Sequence, residues 1–383
     1  MAELPPLAIN GKFLSAPPTG VHRVAAELAN ALAQAAAERT EGLDIALWVP
    51  RDARDGARHI RLPARLMAPF TGIPWEQLAI PLRDRGRLLL NLCNIGPVLR
   101  SNAVTMIHDA QVHLTPASYS WPFRLWYKTI QPLIGRRHRA ILTVSHYSRD
   151  QIVRAGICPA ERIAVVHNGV DHMLRVVAEP GIIQHLGLAG RPFVVALGTT
   201  QAHKNIGLLA RVFASPLLAG VRLVLVGGGS SEDFAAIGIT LPQQTLFAGR
   251  VSDGELRALY EEALCIAFPS QTEGFGLPPL EAMLLGCPAI VAPCGALPEV
   301  CGEGALFADP DDPDEWVRLI RALVDDPSFR ARYAALGRAQ AGRFTWRVAA
   351  HQLLDAVAAL STDRARIRRS SHFLSHKFNA KRL

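Results

Sequence analysis

The feature that most limits what this chain can fold into is an alternation that occurs twice: short apolar runs separated by stretches of helical period. In the first half the runs are Leu7 to Asn10, Asp44 to Val49, Leu88 to Leu92, Val104 to His108, Ala140 to Ser145 and Ile163 to His167. A Gly/Pro-rich loop follows the first run and leads into a long amphipathic stretch from about Val21 to Glu38. In the second half Phe193 to Gly198, Leu223 to Gly227, Leu246 to Gly249, Cys265 to Pro269 and Ala289 to Ala292 read as strands, with helical patterns such as Asp253 to Ala263 between them. Continuous apolar runs joined by helices predict parallel strands covered on both faces. The expectation is an α/β chain, and 383 residues are more than one core usually holds, so two units are expected.

Between Val170 and Pro192 the pattern breaks at Pro180, Gly181, Gly187 and Gly190, which marks the boundary. This gives an N-terminal domain over 1–178, a second over 190–345, and a helix with a basic tail over 346–383 that folds back on the first. Asp312, Pro313 and Glu315 form a helix start, with an Asp cap, a first-turn Pro and a Glu placed to complete a capping box. Helical composition then continues nearly to Ser361.

Charge and cysteines narrow the setting. The formal net charge of +8 favours anionic partners such as nucleotide phosphates or lipid headgroups. The six cysteines contain no CxxC pair or zinc spacing and read as buried thiols in a reducing compartment. Without a signal-like N-terminus or an apolar run of roughly 20 residues, the expected location is cytoplasmic, with peripheral contact at the inner face of the plasma membrane.

In an open parallel sheet, ligands sit outside the carboxyl ends of the strands. The most informative segment there is Glu273-Gly-Phe-Gly-Leu-Pro-Pro-Leu-Glu281, between the run Cys265 to Pro269 and a helix that opens with prolines. Gly274 and Gly276 permit close backbone approach, amides at the helix start suit hydroxyls or phosphate, and Glu273 and Glu281 suit the vicinal hydroxyls of a sugar and a ribose. The same residues also have an ordinary use, since Gly-x-Gly and acidic side chains are common at helix starts.

The full pattern resembles the Glu-x7-Glu motif of family-4-type glycosyltransferases. The resemblance covers most of the chain. It implies a GT-B fold, two Rossmann-like domains facing across a cleft, and a retaining, metal-independent transfer of a sugar from a nucleotide-diphosphate donor. It maps the donor sugar contact onto Glu273, the ribose contact onto Glu281, and the connecting donor loop onto Gly274, Phe275, Gly276 and Leu277. FVVALGTTQAHKNIGLL is similar to the family's strand-turn-helix whose lysine grips the diphosphate, which implies that role for Lys204, shared with Arg250 at the end of LFAGR. Thr19-Gly20-Val21 resembles the glycine loop that approaches the diphosphate, and His108 the histidine that faces the transferred sugar. Asn168-Gly-Val-Asp171 resembles an interdomain turn and is read as architecture. The chain departs from its relatives at His203 and Thr199, where arginine is frequent. That departure keeps open a non-catalytic or regulatory sugar-nucleotide-binding protein, and an epimerase shares the same two-domain plan.

The resemblance implies same-face attack, with the leaving diphosphate helping to deprotonate the acceptor, and no N-domain carboxylate stands out as a nucleophile. The run Asp309 to Asp314 looks like a metal-binding DxD, but its prolines and the helix that follows favour capping, so no metal and no cofactor are expected. Gly227, Gly228 and Gly229 lack the third spaced glycine of a dinucleotide fingerprint. No aromatic platform or recognition helix accompanies the basic tail, so nucleic acid is not an expected partner. The expected partners are a nucleotide-diphosphate sugar, GDP-mannose before UDP-sugars, and a glycan or lipid-linked acceptor in polysaccharide or glycolipid assembly. Basic and aromatic residues between Phe123 and Arg139 suit contact with anionic membrane, as do the basic residues from Arg364 to Arg382.

Overall fold

A computed structural model describes residues 4–16, 19–38, 42–114 and 120–360. The strands are β1 (Leu7–Asn10), β2 (Ile45–Pro50), β3 (Ala64–Met67), β4 (Leu88–Asn91), β5 (Ala103–Met106), β6 (Ala140–Thr143) and β7 (Ile163–Val165), then β8 (Phe193–Leu197), β9 (Arg222–Val226), β10 (Thr245–Gly249), β11 (Cys265–Phe268), β12 (Ala289–Val291) and β13 (Leu306–Phe307). The first seven form one sheet in the order β3-β2-β1-β4-β5-β6-β7, and the other six a second in the order β10-β9-β8-β11-β12-β13. Every neighbouring pair is parallel.

Parallel strands need helical crossovers, and the central strands are accordingly buried on both faces, β1, β4 and β11 along their whole length. Strand order reverses between β1 and β4 in the first sheet and between β8 and β11 in the second. Loops that leave the carboxyl ends of such a pair diverge to opposite faces and open a crevice. The segments after β1, β8 and β11 carry Gly20, Lys204 and Glu273, so topology alone collects them at two crevices.

Two strands lie outside the sequence expectation, β3 and β13. Both are sheet edges: Ala64, Arg65 and Leu66 are exposed, and β13 has two residues, so neither carries a continuous apolar run. The helical tract after Asp312 is three helices, Pro313–Asp325, Pro327–Ala341 and residues 346–360. Asp312 caps the first of these by accepting from the backbone of Asp314 and Glu315. Glu315 does not close a capping box, because its carboxylate accepts from the Asp309 amide instead. Asp326 caps the second helix and breaks the tract.

The last helix buries Trp346, Ala349, Ala350, Leu353, Leu354 and Val357, an i, i+3, i+4 stripe. It lies on the first unit: Gln352 accepts from the His167 amide at 3.0 Å, and the Trp346 amide donates to Asp171 at 2.7 Å. Gly169 makes this docking possible, since a Cβ there would stand 2.2 Å from the Trp346 nitrogen. The basic residues from Arg364 onward lie outside the described residues. Cys158, Cys265, Cys287 and Cys301 are buried free thiols, whereas Cys93 and Cys294 are only partly covered.

Candidate active site

The two crevices face one another across a cleft of about 420 Å³ lined from the first unit by Gly20, His108 and Asp109, and from the second by His203, Lys204, Glu273 and the loop Gly274 to Pro278. Gly20 opens the Gly20–Ala37 helix at the edge of the cleft, and a Cβ there would meet nothing within 4 Å. Lys204 sits on a tight turn after β8, where Asn205 takes a left-handed φ of 56° and starts the next helix. Its ammonium lies 2.5 Å from Glu273 Oε1 and 5.3 Å from the centre of the Phe268 ring. Thr199 holds the same turn by accepting from the Gln201 amide at 3.2 Å.

His108 is 6% exposed, and its Nε2 donates to the Leu92 carbonyl at 2.9 Å, which leaves Nδ1 as the acceptor of a neutral ring. Burial pushes its pKa down to about 4. His203 is 7% exposed with an Nδ1 that finds no partner among the described residues. Burial, then the neighbouring Lys204, lowers its pKa, so this wall of the cleft is a neutral imidazole.

The first unit also brings a carboxylate to the cleft, Asp109, which the sequence did not single out. Its Oδ1 accepts from the Gln111 amide at 2.9 Å. Burial foremost, then Glu273, raises its pKa, while the Gln111 bond and Lys204 oppose the rise.

The donor loop divides its work. A Cβ on Gly274 would stand 2.8 Å from the His108 carbonyl, and Ser145 and Ser148 donate to the Gly274 carbonyl at 2.7 and 3.0 Å. The close approach that Gly274 permits is therefore to the first unit. Gly276 caps the Leu277–Leu284 helix at φ 108°, a conformation that favours glycine, with Leu297 2.7 Å from a hypothetical Cβ. Leu277 lines the cleft, and Phe275, 5% exposed, sets its ring against His167 and Phe344. Glu281 lies one helical turn deeper, 6% exposed beside His172, behind the residues that line the cleft rather than among them. Arg250 is exposed, near Gly228 at the ends of β9 and β10, and does not line the cleft.

Some participants lie beyond the roles read from motifs. Asn168, read above as architecture, also lines the cleft, and Gln201 lines it from a turn of ordinary composition. Gly295 brings the loop after β12 against Glu273, whose amide nitrogen would be 2.5 Å from a Cβ. Glu299 accepts from the His146 and Tyr147 amides and from His167 Nε2, at 2.9, 3.1 and 2.9 Å, and joins the two units. Although burial works against it, those three donors hold its carboxyl below the usual range. The glycine run after β9 serves packing: Gly229 donates to the Gly198 carbonyl at 3.0 Å and a Cβ there would strike Phe234.

The comparison with known proteins agrees with this geometry. The model of Glycosyltransferase Family 4 matches residues 18–173, and that of Glycosyl transferases group 1 matches residues 182–340, one on each sheet unit. The O-antigen chain mannosyltransferase B of Escherichia coli is 34% identical over 270 residues, covering 67% of this chain and 70% of that one. The chain belongs to the family 4, group 1 glycosyltransferases. The O-antigen chain mannosyltransferase RfbU of Salmonella typhimurium is a further relative, 28% identical over 62% of this chain and 65% of its own. This glycosyltransferase also shares its fold with Anabaena HepE, solved with UDP and glucose, at a TM-score of 0.69 and 20% identity over 93% of this chain and all (100%) of that one. The fold is GT-B, with a parallel sheet and its helices in each unit.

Proposed function

We propose that this glycosyltransferase moves a mannosyl group from GDP-mannose to a glycan or lipid-linked acceptor in polysaccharide or glycolipid assembly, with retention of configuration and without a metal. The observation that carries the reading is the convergence of Lys204 and Glu273 with His108 and Gly20, from four different loops, on one cleft. The ammonium would balance charge on the departing diphosphate, Glu273 would bind donor-sugar hydroxyls, and the neutral His108 would offer Nδ1 to a sugar hydroxyl without adding charge. Glu281 takes the ribose. The named activity of the two O-antigen relatives supports mannose as the sugar and a polysaccharide as the product.

Same-face attack needs no nucleophile from the protein, and the carboxylate nearest the cleft in the first unit, Asp109, already has Oδ1 engaged by the Gln111 amide at 2.9 Å. The DxD-like run is engaged elsewhere: Asp309 accepts from the Asp311 amide, and Asp312 caps the helix that follows it. Incubation with α-linked GDP-mannose and a mannose-terminated oligosaccharide, in EDTA, tests all of this at once. Proton NMR is expected to show a new α-mannosyl linkage; a β-linkage would reject retention, and dependence on added Mg²⁺ or Mn²⁺ would reject the metal-free reading.

Membrane contact belongs to the same proposal. The Trp121–Arg137 helix buries Ile130 and Ile134 but leaves Trp121 69% and Leu125 52% exposed, beside the exposed Lys128, Arg136 and Arg137. Apolar and basic side chains on one helix suit an anionic bilayer surface. Among the described residues no helix is long and apolar enough to cross a membrane. The chain is expected to co-sediment with anionic vesicles at low salt, less so after Trp121→Ser with Leu125→Ser; equal sedimentation with neutral vesicles, or none, would contradict the contact.

A further inference from the structure

Glu281 is not held by its own helix alone. His172, on the short turn Asp171–Arg175 that leads out of the first unit, is 3% exposed and places Nε2 3.2 Å from Glu281 Oε1. Its other nitrogen, Nδ1, accepts from the Trp346 indole at 3.2 Å. An indole nitrogen can only donate. Nδ1 is therefore the acceptor, and in the neutral ring the proton sits on Nε2, the nitrogen beside the carboxylate.

Trp346 is a firm anchor for this choice. It is 2% exposed, its amide is bonded to Asp171, and its backbone lies against Gly169. Nε2–H is buried and stands off the line of a good hydrogen bond to Oε1, so it has no aligned acceptor among the described residues. A buried donor beside a carboxylate favours any rotation of that carboxylate that aligns the two.

We infer that His172 is a positioning residue for nucleotide binding: with its tautomer set by Trp346, it holds one oxygen of Glu281 and turns the other toward the ribose diol. The inference rests on reading Glu281 as the ribose acceptor. It gives the helix at 346–360 a part in donor affinity although that helix lines none of the donor loop. It also ties the three segments that meet here, the interdomain turn, the last helix and the Leu277–Leu284 helix, to one carboxylate.

Calorimetric dissociation constants for GDP and 2′,3′-dideoxy-GDP, measured on the full chain, separate positioning from general damage. UDP and its dideoxy analogue replace them if GDP does not bind. The unmodified protein is expected to prefer the ribonucleotide. His172→Leu is expected to weaken the ribonucleotide about tenfold and leave the dideoxy form unchanged, the effect of one lost hydrogen bond to a charged group. His172→Gln, whose amide N–H reaches the same place as Nε2–H, is expected to restore much of the preference. Trp346→Phe, which keeps an aromatic ring but removes the indole donor, is expected to lose part of it. Equal weakening of both nucleotides by His172→Leu, or no weakening, would overturn the positioning role. Should Glu281→Ala leave the ribose preference intact, the ribose assignment itself falls and the inference falls with it. If the leucine variant does not fold, the glutamine and phenylalanine variants decide the matter by the same ratio.

Discussion

His108 and His138 are two imidazoles that folding has stripped of water, and their environments make a prediction at the scale of single residues. Each is held to a pKa of about 4, chiefly by burial, against an ordinary 6.5. His138 donates from Nε2 to the Pro97 carbonyl and accepts at Nδ1 from Thr105, so its neutral form is fully bonded. The unfolded chain takes up a proton on each ring near 6.5, whereas the folded chain does so only near 4. Their contribution to stability is therefore intact above pH 6.5 and is lost as the pH falls from 6.5 to 4. The loss amounts to about 3 kcal/mol per ring over that window. Urea unfolding at pH 7 and pH 5 is expected to show the lower midpoint at pH 5, and a higher midpoint at pH 5 would contradict the neutral assignment. At this scale the sequence makes legible the residues that follow a strand inside a motif, such as Lys204, Glu273 and His108. Asp109 and His203 stand next to two of them, yet nothing in composition tells which neighbour points into the cleft. That depends on backbone direction at the strand end.

At the scale of elements, the central strands are readable because burial on both faces demands unbroken apolar runs, and the edges are not because they make no such demand. The three helices after Asp312 read as one tract because their apolar periodicity runs on, although Asp326-Pro327 repeats the cap-and-proline start of Asp312-Pro313 and Gly342 ends the second helix. The last helix makes its own prediction. Its docking depends on Gly169, where a Cβ would meet the Trp346 nitrogen at 2.2 Å and neighbouring backbone atoms within 2.7 Å. Backbone cannot yield as a side-chain tip can, so Gly169→Ala is expected to cost about 1–3 kcal/mol by overpacking. The expected readout is a lower Tm together with faster proteolytic cleavage near Thr345. Unchanged Tm and cleavage would mean that the helix is held independently of this contact.

At the scale of the whole molecule, the two sheets are tied across the cleft by groups that also frame it. Arg23, on the first helix, makes two bonds of 2.7 and 2.6 Å to Asp253, at the start of a helix in the second unit. That pairing holds the Asp253 carboxyl below its ordinary range. Both side chains remain a third or more exposed, so the pair contributes little to global stability and more to the relative placement of the units. Tyr147 and Thr272, and Glu299 with the His146 and Tyr147 amides, bridge the same gap. Such contacts between two units suit a cleft that closes on its ligand and excludes water during transfer. Binding of a nucleotide-diphosphate sugar at this cleft, with Lys204 and Glu281 as its holders, can be read from thermal unfolding with GDP, UDP and their sugar conjugates, in EDTA. One nucleotide class is expected to stabilise the protein, by about 2.7 kcal/mol at a hundredfold excess over Kd. Lys204→Ala and Glu281→Ala are each expected to abolish most of that gain. Stabilisation that survives both substitutions, or no stabilisation by any nucleotide, would contradict binding at this cleft.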